Sequence, residues 1–234
     1  MQRLTPLPVA SVTLTEAYAA PLGSHVDRPW VGLSMVSSID GSTVVDGASA
    51  GLSSENDSGV LLQLRAIADV IIVGAGTARG EGYGPPSKPG QRIGVVTRSG
   101  SVDTSSDLFT SGAGFVITTT SAVFEERGVD VLRVGVDEVD LTAAIRQIPD
   151  VSPGATFVQA EGGPSLNGAL ADADLFDELN ITTSPAIVGG EGPRLISRAG
   201  DLSRRFVLDQ MVVDDEAFVF SRWRRRQDGA PASP

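Results

Sequence analysis

The stretch from Val70 to Gly80, reading VIIVGAGTARG, constrains the fold of this chain more than any other segment. Four apolar residues without polar alternation predict a strand buried on both faces, as in a parallel sheet covered by helices. The glycines that follow let the main chain approach an anion closely, and the positive end of a following helix favours the charge. The segment therefore points to a bound nucleotide. Its spacing, G-x-G-x-x-x-G, is one residue longer than the dinucleotide fingerprint, and the same pattern also suits a strand that simply leaves the core.

The rest of the chain alternates strand and helix patterns. Trp30 to Ile39 reads as a buried strand, with Asp40-Gly41 as the turn into a return strand near Ser42 to Val45. Ser53 or Ser54 caps a helix with Glu55 and Asp57 in its first turn and Val60, Leu61, Leu64 and Ile67 at helical spacing. Strands are predicted at 92–97, 114–118, 129–134 and 155–160. A helix is predicted at 137–148, and Pro164 opens another over 165–171. Such alternation gives a mostly parallel α/β sheet. The strands predicted at 178–183, 206–213 and 217–223 have no helices between them and complete one edge antiparallel. We divide the 234 residues into an N-terminal arm (1–28), a single domain (29–226) and a flexible tail (227–234).

Composition excludes several chemistries. The formal net charge of −11 argues against a nucleic-acid partner, which requires clustered Lys and Arg. The run Arg222-Trp223-Arg224-Arg225-Arg226 is read as the solvated end of an edge strand, where positive charge discourages edge pairing. With no cysteine, thiolate metal sites, Cys nucleophiles and Cys-ligated zinc deaminase chemistry are out, and no metal site is expected. The single histidine, His25, lies in a connector and is expected to be an exposed loop residue. No apolar stretch is long enough to span a membrane and no signal-peptide core is present, so no membrane partner and a cytoplasmic location are expected.

Ligands of open α/β sheets bind beyond the carboxyl ends of strands. Four predicted strand ends carry unusual chemistry. The first is Gly74-Ala75-Gly76-Thr77. The second is Thr97-Arg98-Ser99, where Arg98 and Ser99 suit the 2′-phosphate of NADPH better than the bare hydroxyl of NADH, although a solvated loop arginine is the plain alternative. The third, Glu161-Gly162-Gly163-Pro164-Ser165-Leu166, offers a second phosphate-binding helix start and a carboxylate, or else an ordinary strand-to-helix turn. The fourth, Ser38-Ile39-Asp40-Gly41, is by itself most simply a hairpin turn.

In order along the chain, RPWV followed by SIDG, LRAIADVIIVGAGT and QAEGGPSL resemble the pyrimidine reductase domain of riboflavin biosynthesis, over about Pro29 to Trp223. The resemblance implies a dihydrofolate-reductase-like fold, a twisted mixed sheet flanked by helices, and a homodimer. It also implies NADPH-dependent reduction of 5-amino-6-(5-phosphoribosylamino)uracil, with hydride delivered to C1 of the ring-opened sugar imine. On this resemblance Asp40 and Glu161 are the candidate catalytic residues. Gly74, Gly76, Thr77, Gly162, Gly163, Ser165 and Leu166 match the cofactor turns, beside Arg98 and Ser99. Ser34, Ser38, Asp40, Arg79, Glu81, Tyr83 and Glu161 are candidates for the substrate side. Arg65 and Asp69 match positions read as structural, an ion pair or cap at a helix end.

Two departures qualify the match. Bifunctional relatives carry an N-terminal zinc deaminase whose cysteines this chain lacks, so the reductase part alone is expected. They also usually place a lysine six residues before the Asp-Gly aspartate, where this chain has Ser34, which cannot supply that charge. A pterin or dihydrofolate reductase on the same fold is the alternative enzyme. A non-catalytic module that binds NADPH would need the glycine turns and Arg98 but neither Asp40 nor Glu161. A hydride transfer requires the protein mainly to orient reactants and manage one proton, which agrees with the absence of thiols.

Overall fold

A computed structural model describes residues 1–226; the tail expected at 227–234 lies outside the described residues. In chain order the elements are β1 (Gln2–Thr5), β2 (Ala10–Ser11), α1 (Leu14–Ala17), β3 (Trp30–Ser37), α2 (Glu55–Ile67), β4 (Val70–Gly74), α3 (Ala75–Gly80), β5 (Arg92–Thr97), α4 (Asp107–Thr110), β6 (Gly114–Thr118), β7 (Val131–Arg133), α5 (Leu141–Val151), β8 (Phe157–Ala160), α6 (Pro164–Asp172), β9 (Glu178–Thr183), β10 (Phe206–Val213) and β11 (Val219–Arg225). All the strands join one sheet in the order β2-β1-β10-β11-β9-β3-β8-β4-β5-β6-β7. From β9 to β7 the neighbours run parallel, and from β9 to β2 they run antiparallel. This is the mixed, mostly parallel sheet with antiparallel C-terminal strands that the pattern predicts.

The buried run forms the strand for the expected reason. Val70, Ile71, Ile72 and Val73 are all fully buried. Alternation sends Val70 and Ile72 into the core beneath α5 and α6, with Leu141, Ile145, Leu166 and Leu170. Ile71 and Val73 enter the opposite core with Ile93, Val95, Leu108 and Phe109. Each such side chain contributes roughly 1.5–3 kcal/mol through burial. Ser54 caps α2, its side chain accepting from the Asp57 amide at 3.1 Å, and Pro164 occupies the first turn of α6.

Several expectations are corrected. No return strand forms at 42–45: the Thr43 amide bonds to Pro193 O and Val45 pairs only with Ala48. Helix α5 starts at Leu141, where Asp140 provides the cap, rather than at 137. The N-terminal arm, residues 1–28, packs on the domain, where β1 pairs with β10 and Tyr18 is buried with Val60, Leu64 and Phe220. The basic run is not the end of an edge strand. It lies on β11, between β9 and β10, and Arg222 is only 4% exposed. Its guanidinium bonds to Asn180 Oδ1, Ala17 O, Ala20 O and Glu178 Oε1 and lies over the Tyr18 ring. His25 is not an exposed loop residue either: its Nε2 meets Asp177 Oδ1 at 2.8 Å, and its ring leans on Trp30.

Strand order reverses where it matters. After β7 completes one end of the sheet, the chain returns to insert β8 between β3 and β4, and β9 then pairs with the other edge of β3. The carboxyl ends of β3, β8 and β4 thus lie side by side at a switch point.

Candidate active site

Register sets the site. Leu33, Ala160 and Ile72 are paired across β3, β8 and β4, so Ser34, Glu161 and Val73 come next. The Glu161 amide bonds to Ile72 O at 3.0 Å and the Gly74 amide to Gly162 O at 2.7 Å, which extends the ladder beyond the end of β8. The two glycine turns therefore touch. Gly162 has φ +87°, which favours glycine, and a cis peptide joins it to Gly163. A Cβ on Gly163 would sit 2.5 Å from Thr77 Oγ1, so with any larger residue there the Thr77 side chain would have to move for the two turns to lie together. Gly76 is different: a Cβ there would meet nothing within 4 Å. Its bare backbone faces open space, as a close-approaching ligand requires. No glycine-rich loop intervenes after β4; the chain passes directly into α3 with Gly74 as its cap.

Beside these turns is a cavity of about 170 Å³ whose walls include Ser34, Met35, Thr43, Ser49, Ser53, Asp57, Ser58, Thr77, Glu81, Tyr83, Glu161 and Gly163. Glu161 is its most elaborately held group. Oε1 accepts from Arg65 Nε at 2.7 Å and Gln159 Nε2 at 3.2 Å, and Oε2 accepts from Arg65 Nη2 at 2.6 Å and Tyr83 Oη at 2.7 Å. Burial, then the neighbouring Glu161 charge, pushes the Tyr83 phenol well above its ordinary pKa, so Tyr83 stays a donor at neutral pH. Burial works against the Arg65 charge, but the Glu161 carboxylate outweighs it and the guanidinium pKa is raised. Among the described residues, Gln159 Oε1 is buried without a hydrogen-bond partner.

Of the residues singled out in the sequence, Ser34, Thr77, Glu81, Tyr83, Glu161 and Gly163 line this cavity, and Gly74, Gly76 and Gly162 belong to the turns beside it. Glu81 accepts a hydrogen bond from Ser49 Oγ at 3.0 Å. Other candidates lie elsewhere. Arg79 extends to Ser101 O at 3.4 Å, and Arg98 forms an exposed ion pair with Glu138 at 2.7 Å. Ser99 is exposed, Ser165 lies in the first turn of α6, and Leu166 is in the core. Ser38 and Asp40 lie in the turn after β3, outside the cavity wall.

Arg65 corrects the structural reading. It does not pair with Asp69, which instead accepts from the Thr156 and Phe157 amides, but holds the site carboxylate from 96 residues away. Ser49, Ser53, Asp57 and Thr43 were also missed. In the sequence Ser53 and Asp57 read only as part of a helix start, while Ser58, Leu61 and Arg65 at helical spacing are the available signal for a face turned to the site. Among the described residues no cluster of His, Cys, Asp or Glu is arranged to hold a metal, and no helix is long and apolar enough to cross a membrane.

Fold and site define a mixed α/β domain that presents two facing backbone turns and a hydroxyl- and carboxylate-lined cavity at the switch point of its sheet. The chain belongs to the RibD C-terminal domain family, whose model matches residues 29–220. It is 30% identical over 192 residues to the riboflavin biosynthesis protein RibD of Bacillus amyloliquefaciens, covering 76% of this chain and 52% of that protein. The chain thus spans about half the length of that relative. It is 29% identical over 194 residues to the 2,5-diamino-6-ribosylamino-4(3H)-pyrimidinone 5′-phosphate reductase of Aquifex aeolicus, covering 75% of this chain and 85% of that one. Among solved structures, a pyrimidine reductase-like protein from Corynebacterium diphtheriae superposes with a TM-score of 0.78 at 27% identity, over 93% of this chain and 100% of that one. The Saccharomyces reductase Rib7 superposes with a TM-score of 0.68 at 18% identity, over 91% and 97%, and shares the fold.

Proposed function

We propose that this chain is the NADPH-dependent reductase of a phosphoribosylaminopyrimidine in riboflavin biosynthesis, acting on 5-amino-6-(5-phosphoribosylamino)uracil or its 2,5-diamino-pyrimidinone counterpart. The observation that carries the reading is the contact of the two glycine turns, Gly74 N to Gly162 O at 2.7 Å, directly beside the cavity that holds Glu161. The names of the Bacillus and Aquifex relatives support the same activity.

NADPH supplies the hydride when bound; the residues that would hold it are Gly74, Gly76 and Thr77 on one turn and Gly162, Gly163 and Ser165 on the other. Leu166 packs behind them. Arg98 and Ser99 follow β5, whose Val96 is paired with Gly74, and they are the residues we assign to the 2′-phosphate. The exposed Glu138 partner is weakly held there and can be displaced. On the substrate side Ser34, Glu81 and Tyr83 offer hydrogen bonds to pyrimidine and sugar groups. Arg65 spends Nε and Nη2 on Glu161, and its guanidinium, 29% exposed, is paired with that carboxylate. Glu161, fixed by four donors, orients the substrate and holds the Tyr83 hydroxyl proton at a defined point of the wall. We also propose a cytoplasmic homodimer. Leu208, Met211, Val213, Val219 and Trp223 share one face of the antiparallel strands and are only partly buried, which fits a second copy.

The test follows NADPH oxidation by the purified chain with either pyrimidine and, separately, with dihydrofolate. Turnover with a pyrimidine is expected. Turnover with dihydrofolate alone would transfer the assignment to the pterin alternative, and none with any substrate would leave only an NADPH-binding module.

A further inference from the structure

Asp40 is outside the cavity wall, yet its carboxylate is fully engaged. Oδ1 accepts from Ser38 Oγ at 2.6 Å and from the Val188 amide at 3.1 Å, while Oδ2 accepts from the Gly189 amide at 2.7 Å. The same turn holds this distant segment at two more places. The Ile39 amide bonds to Ala186 O at 2.8 Å, and Thr43 reaches Pro193 O through its amide at 2.9 Å and its hydroxyl at 3.0 Å. Farther along, the segment is fixed to the start of α6. Asn167 Nδ2 donates to Leu195 O at 2.8 Å, the Ser197 amide bonds to Pro164 O at 3.0 Å, and the absence of a side chain on Gly168 lets Ser197 O approach closely. Residues 186–197 contain no helix or strand of their own, so these contacts define their course. They join Thr43 and Val44 on one wall of the cavity to Gly163 and Pro164 on another.

We propose that Asp40 is a positioning residue: it fastens segment 186–197 to the turn after β3, so that the segment braces the substrate wall against the second glycine turn. A carboxylate at this point can meet two successive backbone amides and a hydroxyl at once, and no other side chain of that size accepts so many bonds. Its protonation also suits an anchor. The Ser38 hydroxyl first, then the Val188 and Gly189 amides, hold its pKa at about 2, so at neutral pH it has no proton to give. Its effect on turnover passes through the walls it keeps apart. That kinetic consequence rests on the reductase reading; the anchorage itself does not.

Hydrogen–deuterium exchange across 186–197, measured together with steady-state kinetics, tests this on wild type, Asp40→Ala, Asp40→Asn and Asn167→Ala. In Asp40→Ala the amides of 186–193 are expected to exchange about tenfold faster or more, with kcat/KM for the pyrimidine lowered roughly tenfold, chiefly through KM. Asp40→Asn keeps the Oδ1 acceptor for Ser38 and Val188 and loses only Gly189, so it falls between wild type and Ala in both readouts, with an unchanged pH profile of kcat. Asn167→Ala releases the other end and raises KM in the same direction. If Asp40→Ala does not fold, the other two variants still decide. Wild-type exchange in Asp40→Asn combined with a kcat as low as that of Asp40→Ala would overturn the proposal and make Asp40 a proton-handling group. Unchanged exchange in Asp40→Ala would overturn it as well. If the wild type turns over no pyrimidine, the reductase reading fails while the exchange arm still tests the anchor.

Discussion

Two buried carboxylates, Glu161 and Glu178, are each answered by an arginine from a distant element, and they do different work. Glu178 is fully buried and bonds to Trp30 Nε1, the Leu22 amide, Asn180 Nδ2 and Arg222. Arg222 also donates to Asn180 Oδ1 and to two carbonyls of residues 17–20. That set is closed on itself and pins the N-terminal segment to the antiparallel strands. Glu161 itself accepts as many bonds, but its set has one open side: it faces a cavity, its arginine is 29% exposed, and among the described residues Gln159 Oε1 beside it has no partner. A complete buried ion pair holds a fold, whereas one with an unfinished side offers its surplus to a ligand.

The sharpest way to break this comparison is to damage each set in turn. Glu161→Gln is expected to lower kcat/KM by about 10²–10³ while the protein stays folded, as measured by NADPH oxidation and circular dichroism. Arg222→Ala should do the reverse, with a stability loss of about 3–5 kcal/mol in denaturant melts and near-normal turnover per folded molecule, because Glu178 is left unpaired in the interior. Activity loss in both with no stability change in either would erase the distinction. Tyr83→Phe removes one donor from the open set only, so kcat/KM should fall roughly tenfold and the melting temperature should hardly move.

Smaller effects are expected where charges meet in solvent. Arg98→Ala breaks an exposed pair that contributes little stability, so a rise of several-fold in KM for NADPH, none for NADH and an unchanged melt are expected. Equal changes with both cofactors would remove Arg98 from the 2′-phosphate. The pKa of Asp40 is depressed to about 2, by the Ser38 hydroxyl first and then by the Val188 and Gly189 amides. The unfolded value is near 3.9, so its contribution is complete above that pH and is lost as pH falls toward 2. The difference in melting temperature between wild type and Asp40→Asn should therefore be flat above about pH 5 and shrink below about pH 4.

What the sequence makes legible here is what is local. Four apolar residues before a glycine turn yield β4, Ser54 three residues before Asp57 yields a cap, and Pro164 after two glycines yields the start of α6. The motifs LRAIADVIIVGAGT and QAEGGPSL bring Thr77 and Glu161 to one cavity, where Tyr83 joins them from the loop after α3. What escapes depends on partners far along the chain. Arg65 reads as the cationic last turn of a helix, since nothing nearby announces a carboxylate 96 residues away. Arg222 reads as solvated because three more arginines follow it within four residues, but burial is decided by the place of β11 between β9 and β10. Phe220 and Arg222 point to the covered face, while Arg224 of the same row reaches solvent. His25 is drawn inward in the same manner by Asp177.

The place of β3 in the sheet has a consequence for how the molecule comes into being. Its two neighbours, β8 and β9, are supplied by residues 157–160 and 178–183, more than a hundred residues downstream. During synthesis this mostly apolar strand therefore waits with both edges bare until most of the domain has emerged. Pairings of such long range are slow to form and leave strand edges open to other chains in the interval. The segment that carries Ser34 to the substrate wall is thus also where a nascent chain is most exposed to aggregation, and where a chaperone would have most to protect.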